Sequence, residues 1–302
     1  MSSSDVPRSS NRVRQERFFH GVFLLAAMLA VLCVVAIVVL IFNLGLRPFL
    51  PNNEFGTYSF WDFVTGISWM PGFRTFGVGY MIAGSLLATL GAVVLGVPLG
   101  VLTAVFIVEV APKWLSKIVM PMVELLAAIP SVLYGVFGFA VIVPAIESIS
   151  PYPTGDSMLA VILVLAIMVL PSIVAMSVTS LRAVPKYYKE GSLALGATSN
   201  QTIFKVMIPA ARSGILTGIV LGIGRAIGET MAVILVAGNP QGGMPSTIFD
   251  RVRLLTTNIV LEQGYAAELQ EQMLFSTVII LFVFIMIINF VLLRIQRKVG
   301  KS

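Results

Sequence analysis

Two oppositely charged side chains, Arg225 and Glu229, lie inside a long apolar stretch of this sequence. Four residues apart on a helix, they would share one face about 6 Å apart along the axis, close enough to form an ion pair. A charge in the middle of a membrane helix costs about 2.5–3.5 kcal/mol on insertion scales, and such charges usually mark a transport pathway. Because a guanidinium fork matches the oxygens of carboxylate, phosphate or sulfate, the pair predicts a site for a passing oxyanion. An ion pair that only locks neighbouring helices together fits the same spacing.

A third charged residue, Glu124, falls inside another apolar stretch and is the weaker candidate for the pathway, since a structural role fits it equally well. A little further along, Pro130 and Ser131 predict a helix break whose backbone groups must face a cavity inside the protein rather than lipid. The chain has one cysteine and one histidine, so no metal site built from Cys and His ligands is expected.

The composition indicates which kind of protein must position these charges. Of the 302 residues, 57% are hydrophobic and 11% are charged, and the mean hydropathy is +0.96. Soluble globular proteins have roughly 45–50% apolar and about 25% charged residues. The composition therefore excludes a soluble enzyme, a disordered protein and a nucleic-acid-binding domain, and it predicts a lipid-facing surface. No combination of nucleophile and base indicates an enzyme.

Six apolar stretches are long enough to cross a bilayer as helices, which takes about 20 residues each. They are Phe18–Leu44, Gly77–Val108, Ile118–Ile146, Met158–Leu181, Ser213–Ala237 and Met273–Leu293. No stretch shows the alternation of a membrane barrel strand, so the sequence predicts an all-α, polytopic membrane protein with six transmembrane helices. The first stretch exceeds the apolar core of a signal peptide and is predicted to be an uncleaved anchor.

The distribution of basic residues predicts the orientation in the membrane. Fifteen of them lie in the N-terminal tail 1–17, in the connections after the second and fourth spans, and in the C-terminal tail 294–302. The other three connections hold four, which include Arg253. Both termini are therefore predicted to be cytoplasmic, and segments 45–76 and 238–272 to face outward.

A stripe of small residues shares the predicted helical face of the charged pair, at about 100° per residue. The stripe consists of Gly214, Gly218 and Gly222. Small residues allow another helix to approach closely. The charged pair is therefore predicted to point toward protein or a cavity, and the opposite aliphatic side, which includes Ile227, is predicted to face lipid.

Residues 186–209, between the fourth and fifth predicted spans, are predicted to form two short helices joined by a tight turn. Gly196 is predicted to end the first helix, Thr198 or Ser199 to begin the second, and Pro209 to mark the entry to the fifth span. A soluble partner protein could bind such a pair of helices, although an ordinary connecting loop fits the pattern equally well.

This segment resembles the coupling motif of ABC-importer permeases, E-A-A-x3-G-x9-I-x-L-P. Glu190, Gly196 and Pro209 fall at the matching spacing, whereas Gly191 and Ser192 replace the two alanines. The chain also resembles phosphate-importer permeases of the PstC type, over the first span and from about residue 76 to the C-terminal end. The segments that carry this likeness are 124–131, 195–198, 208–211, 224–231 and 246–249.

The resemblance implies a type I ABC importer permease in the bacterial cytoplasmic membrane, with its core over residues 77–293. Glu190 and Gly196 would seat the coupling helices in a groove of an ATPase subunit, and Arg225 and Glu229 would lie on the phosphate route. The implied partners are a PstA-like second permease, two ATPase subunits that bind ATP and magnesium, and an extracytoplasmic phosphate-binding protein.

No cofactor is expected in this chain. Gly300–Ser302 mimics the end of a P-loop, but the position of the first P-loop glycine is occupied by Ile295. ATP hydrolysis is therefore assigned to the partner subunits.

Two alternatives to phosphate import are open at this point. The same fold could import sulfate, molybdate or a phosphonate. The chain could also be an ion-coupled secondary transporter, in which the Arg–Glu pair would belong to a proton or sodium relay. Dependence of uptake on a separate ATPase distinguishes the importer from the secondary transporter.

Overall fold

The structure, a computed structural model, describes residues 10–51 and 53–300. Two of the basic residues used to predict the orientation, Arg8 and Lys301, lie outside the described residues, as does the P-loop mimic beyond Gly300.

The N-terminal half contains the first three predicted spans. Its helices are α1 Ser10–Leu46, α2 Phe60–Thr65, α3 Gly79–Val105, α4 Lys113–Ala128, α5 Ser131–Phe137 and α6 Val143–Glu147. Tighter or wider helical turns lie at Arg47–Phe49, Pro71–Phe73, Phe106–Val110 and Gly138–Ile142. Apart from isolated β-bridges, the β-structure in the described part of the chain is one antiparallel pair of short strands, β1 Trp69–Met70 and β2 Thr75–Phe76. The predicted helical fold is therefore confirmed, with this small addition.

The C-terminal half contains the remaining spans and the coupling segment. Its helices are α7 Met158–Ala183, α8 Lys186–Ala194, α9 Ser199–Thr202, α10 Ile208–Gly228, α11 Met231–Ile234, α12 Leu255–Gln263 and α13 Glu268–Gly300. A π-helical turn, Ile203–Met207, joins α9 to α10.

Five helical segments of the described chain are long and apolar enough to cross a membrane. They are Phe18–Phe49, Gly79–Val110, Met158–Ala183, Ser199–Gly228 and Glu268–Lys298. The third predicted span is a broken one, since Lys113–Ala128 and Ser131–Glu147 meet at an angle of 100°. The backbone is extended at Ile129 and Pro130, so the predicted break lies where the proline suggests.

The fifth predicted span, Ser213–Ala237, is wrong at its C-terminal end. α10 ends at Gly228, and Glu229 has an extended backbone (φ −71°, ψ 133°) before the short helix α11 begins at Met231. The Glu229 carboxylate accepts a hydrogen bond from the backbone N–H of Ala232 at 3.0 Å. A side chain that satisfies a backbone donor in this way competes with continuation of the helix.

The packing centre of the molecule is α7, which lies against both α3 and α10. On the α3 side, a Cβ atom added to Gly100 would lie 2.7 Å from a methyl group of Ile173. On the α10 side, Cβ atoms added to Gly218 and Gly222 would lie 3.4 and 3.3 Å from the same residue. The close approach predicted from the glycine stripe is therefore confirmed, and Ile173 is held between two glycine-lined helices.

The predicted lipid-facing side of α10 needs one correction. Ile227 is only 6% exposed, and α13 packs against α10 through contacts that include a hydrogen bond from Gln296 to Thr217. A helix packed on several sides by protein cannot keep its whole aliphatic face in lipid.

The glycine seam makes a direct prediction. Gly218→Ala places a Cβ atom 2.8 Å from the Met176 Cβ, whereas Gly224→Ala on the same helix meets nothing within 4 Å. Over-packing costs about 1–3 kcal/mol, and alanine is favoured over glycine in a helix by about 0.5–1 kcal/mol. We expect Gly218→Ala to lower the thermal unfolding midpoint of the purified protein and Gly224→Ala to leave it unchanged or raise it. Equal midpoints for the two variants would contradict the tight packing at Gly218.

Candidate functional site

Two interrupted helices meet at the predicted oxyanion site. One break lies at Glu229, between α10 and α11, and the other at Pro130, between α4 and α5. α11 packs against α5, where a Cβ atom on Gly135 would lie 2.8 Å from the backbone of Ala232. Discontinuous helices whose ends meet inside the protein are typical of substrate sites in transporters.

Arg225 lies in the last turn of α10 and is partly buried. Within the part of the chain that the structure describes, its guanidinium has no hydrogen-bond or salt-bridge partner. It lies within electrostatic range of Tyr134 on α5. The Tyr134 hydroxyl donates a hydrogen bond to the Leu126 carbonyl and so connects α5 back to α4 across the break. A free cation therefore lies beside the bent third span.

The predicted ion pair between Arg225 and Glu229 is wrong, since no salt bridge joins these two described residues. Because α10 ends at Gly228, a spacing of four residues no longer places both side chains on one helical face. Glu229 is instead held by two other contacts: its carboxylate accepts from Ala232 N–H, and its carbonyl accepts from the Thr256 hydroxyl at 3.0 Å. The two charges remain close in sequence without neutralising each other.

Glu124 is exposed on α4, beside the exposed apolar residues Met122 and Leu125. No hydrogen bond or ion pair joins it to Arg225 or Glu229 in the described residues. The structure therefore places it on an outer face that needs lipid or another protein to cover it, and does not connect it to the charged pair.

The coupling segment has the predicted helix–turn–helix form. α8 ends at Ala194, and Gly196 adopts a positive φ of 84°, which is the left-handed conformation that favours glycine after a helix. Thr198 and Gln201 form a reciprocal capping box at the start of α9. Ser192 and Thr202 share a hydrogen bond of 2.9 Å, so the two short helices are held against each other.

The exposed side of this segment is apolar. Leu195 is 91% exposed, and Tyr187 and Leu193 are exposed as well, together with Glu190. Pro209 lies in the first turn of α10, directly after the π-helical turn Ile203–Met207 that continues the helix from α9. Contiguous exposed apolar residues on a segment rimmed by charge mark a protein–protein contact.

One residue that contacts the coupling segment was not predicted from the sequence. Glu109, whose side chain is 4% exposed, lies in the π-helical turn after α3 and forms an ion pair with Lys189 of α8. The coupling segment is thereby fixed to the second span. Glu109 falls one residue beyond the predicted span Gly77–Val108, so it counts as a loop charge in the sequence.

The two segments predicted to face outward, 45–76 and 238–272, are joined to each other. The backbone N–H of Trp69 donates to the Gln241 carbonyl at 2.6 Å, and Ser68 pairs with Gly242 as a β-bridge. Arg253, counted in the sequence as an outer-loop charge, is 4% exposed and forms an ion pair with Glu262 at 2.6 Å. No feature of the sequence distinguishes it from the exposed basic residues.

A pocket of about 410 Å³ opens on this same side and is lined in part by Asp250 and Arg251. The backbone N–H of Thr247, together with Ser246, holds the pKa of the Asp250 carboxyl well below its usual range. Arg251 forms an ion pair with Asp156 at 2.7 Å. The rim of the pocket is therefore built from fixed polar contacts. Among the described residues, no group of three or more metal-ligating side chains is present.

Comparisons with known proteins identify the family. The model described as "Binding-protein-dependent transport system inner membrane component" matches residues 96–301. The chain is 37% identical to the probable ABC transporter permease protein YqgH of Bacillus subtilis, covering 99% of this chain and 98% of that protein. It is 33% identical to the phosphate transport system permease protein PstC of Pasteurella multocida, over 83% of this chain and 85% of that one. It is 31% identical to the protein of the same name in Mesorhizobium japonicum, over 97% of this chain and 96% of that one.

Solved structures show the same fold at lower identity. A bacterial ABC transporter involved in the import of the acidic polysaccharide alginate matches with a TM-score of 0.64 and 17% identity, over 94% of this chain and 99% of that one. The MetNI methionine ABC transporter in an inward-facing native crystal form matches with a TM-score of 0.54 and 22% identity, over 74% and 94%. This multi-pass chain therefore belongs to the family of inner membrane components of binding-protein-dependent transport systems.

Proposed function

We propose that this chain is the permease subunit of an ATP-driven importer and translocates inorganic phosphate. The observation that carries the proposal is the guanidinium of Arg225, which is unpaired among the described residues and lies close in sequence to the helix break at Glu229. The relatives that bear the name of phosphate transport permeases support the choice of phosphate over sulfate, molybdate or a phosphonate.

The chemistry of the site suits a passing oxyanion. The planar fork of Arg225 can donate two parallel hydrogen bonds to phosphate oxygens. Glu229, a few residues further along, would repel the same anion and so prevent it from being trapped. A weak site is sufficient if an extracytoplasmic binding protein supplies the affinity.

The proposed assembly contains this chain, a PstA-like second permease, two ATPase subunits and an extracytoplasmic phosphate-binding protein. With both termini in the cytoplasm, the α8–α9 segment faces an ATPase subunit, and the joined segments 45–76 and 238–272 face the binding protein. ATP and magnesium bind to the ATPase subunits. Closure of those subunits would move the coupling segment and rock the spans between inward-open and outward-open forms.

The ion pair of Glu109 with Lys189 supports this coupling. A push on α8 reaches α3 directly through the pair, since Glu109 is buried at the end of the second span. α3 in turn packs along α7, which contacts α10 and thus the helix of Arg225.

The proposal is tested first by the charge of Arg225. Arg225→Gln removes the cation and keeps a polar side chain, so a charge-assisted contact to the anion is lost. We expect uptake of radiolabelled phosphate by proteoliposomes that contain the assembled complex to fall at least about 30-fold. Arg294→Gln, the same change at an exposed arginine of α13, should leave uptake near normal.

Co-purification of all subunits with Arg225→Gln shows that assembly survives. Wild-type uptake by this variant would contradict the proposed role of Arg225. Uptake of phosphate without ATP would contradict the importer. Competition by sulfate or molybdate as strong as that by phosphate would contradict the cargo.

Glu229 allows its charge to be separated from its structural contact. Glu229→Gln keeps an oxygen that can accept from Ala232 N–H, whereas Glu229→Ala loses it. We expect both variants to lower the maximal rate of uptake severalfold, because the anion is released more slowly. Only Glu229→Ala should also lower the unfolding midpoint, because it loses the roughly 1 kcal/mol of stabilising free energy that a helix cap contributes. Normal uptake by Glu229→Gln would show that the charge plays no part.

Glu109→Gln tests the connection between the coupling segment and the second span. A hydrogen bond to a charged group contributes about 1.5–3 kcal/mol, and partial exposure of Lys189 places this one toward the lower end. Hydrogen exchange of the α8 backbone amides should therefore become about tenfold faster. Glu190→Gln is the control, because it makes the same change at an exposed carboxylate next to Lys189 in α8. It should leave the exchange rates unchanged. Equal exchange rates in both variants would contradict the connection.

A further inference from the structure

The backbone carbonyl of Glu229 is held by a side chain from a distant part of the chain. Thr256 lies at the start of α12, is 6% exposed, and donates its hydroxyl proton to this carbonyl at 3.0 Å. We propose that Thr256 is a positioning residue for the translocation site and sets the place of Glu229 in the pathway. The proposal rests on the proposed function, because it takes Glu229 to lie on the route of the anion.

The break at Glu229 needs an external contact of this kind. Its own N–H makes only a long bond of 3.4 Å to the Ala226 carbonyl, so α10 no longer holds this residue firmly. Its carboxylate is bonded to Ala232 on the short helix α11, which follows directly. Among the described residues, Thr256 is the side chain that hydrogen-bonds the Glu229 carbonyl from a separate element of the fold.

The position of Thr256 is itself fixed by polar contacts. The N–H of Leu255 donates to the Ser85 hydroxyl on α3 at 3.1 Å. Thr257 caps the start of α12, because its hydroxyl accepts from Leu254 N–H at 3.0 Å. α12 is thus hydrogen-bonded to the second span and packs against α13, and Thr256 connects it to the end of the helix that carries Arg225.

The buried ion pair of Arg253 and Glu262 fixes the direction of α12. Arg253 precedes the helix and Glu262 lies near its end, so the pair runs along the length of α12. Gln270 donates to the second carboxylate oxygen of Glu262 at 2.8 Å. Two donors of Arg253, Nε and Nη1, and both polar atoms of the Asn258 side chain are buried without a partner in the described residues.

Such a cluster is a poor source of stability. Desolvation of a buried ion pair offsets most of its attraction, and each unpartnered donor adds a further cost. A buried pair with unmet donors is better explained by geometry: it holds one element in one orientation. Here the element is the helix that carries Thr256 to Glu229.

The test compares three variants in the complete complex, purified with its partner subunits and reconstituted in proteoliposomes. Thr256→Val keeps the shape of the side chain and removes the hydroxyl, and Thr256→Ser restores a hydroxyl. Thr277→Val is the matched control, because it makes the same change at a buried threonine of α13 whose hydroxyl donates within its own helix, to the Met273 carbonyl. Uptake rates are expressed per assembled complex, and unfolding midpoints are measured alongside.

We expect Thr256→Val to lower the maximal rate of phosphate uptake roughly tenfold, the factor expected when one buried acceptor loses its partner. The half-saturating phosphate concentration should not change, because the binding protein sets it. Thr256→Ser should regain most of the rate. Thr277→Val should keep its rate per complex within about twofold of the wild type, because the hydrogen bond that it loses lies within one helix.

Two results would overturn the proposal: a normal rate for Thr256→Val, or an equal loss of rate in Thr256→Val and Thr277→Val. The second result would show that the loss follows from replacing any buried threonine by valine. Measuring radiolabelled sulfate in the same vesicles separates this proposal from the choice of cargo. If the wild-type complex transports sulfate and not phosphate, the phosphate proposal fails, and the ratio of Thr256→Val to wild type for sulfate still tests Thr256.

Discussion

A break in a membrane helix leaves backbone groups that lipid cannot satisfy, and the structure around Glu229 depends on satisfying them. Two contacts do so: the Glu229 carboxylate takes the Ala232 N–H, and its carbonyl takes the Thr256 hydroxyl. Because α10 ends before Glu229, the spacing of four residues does not bring its carboxylate to Arg225 as a continuous helix would. Within the described residues the two side chains form no ion pair, which leaves the charge of the guanidinium available for an anion.

Much of the fold could be predicted from the sequence because the signals are local. Apolar stretches of sufficient length predict the spans, Pro130 predicts the bend in the third, and Gly196 followed by Thr198 predicts the turn between α8 and α9. The spacing of the glycines predicts the close contact of α10, because packing of small residues needs only a helical period. Each of these features depends on residues within a few turns of one another.

The features that could not be predicted depend on contacts between distant residues. Gly228 alone does not mark the end of α10, because four other glycines lie within the same helix without ending it, and the hydroxyl that holds Glu229 lies 27 residues away. Glu109 looks like an ordinary loop charge until its partner on α8, 80 residues further along, is brought beside it. Arg253 is buried only because Glu262 is folded back toward it. In all three cases a polar group is placed by a partner that the local pattern does not contain.

The position of Ile173 limits the ways in which this subunit can change shape. Gly100 on α3 and the glycines of α10 let both helices approach α7 so closely at Ile173 that a larger residue at these glycine positions would clash with it. Sliding or separation there would open voids that neither lipid nor water fills well. The three helices should consequently travel as one rigid body through a transport cycle. Relative motion is then left to the elbow at Pro130 and to the peripheral helices α1 and α13, which pack closely on each other at Gly45.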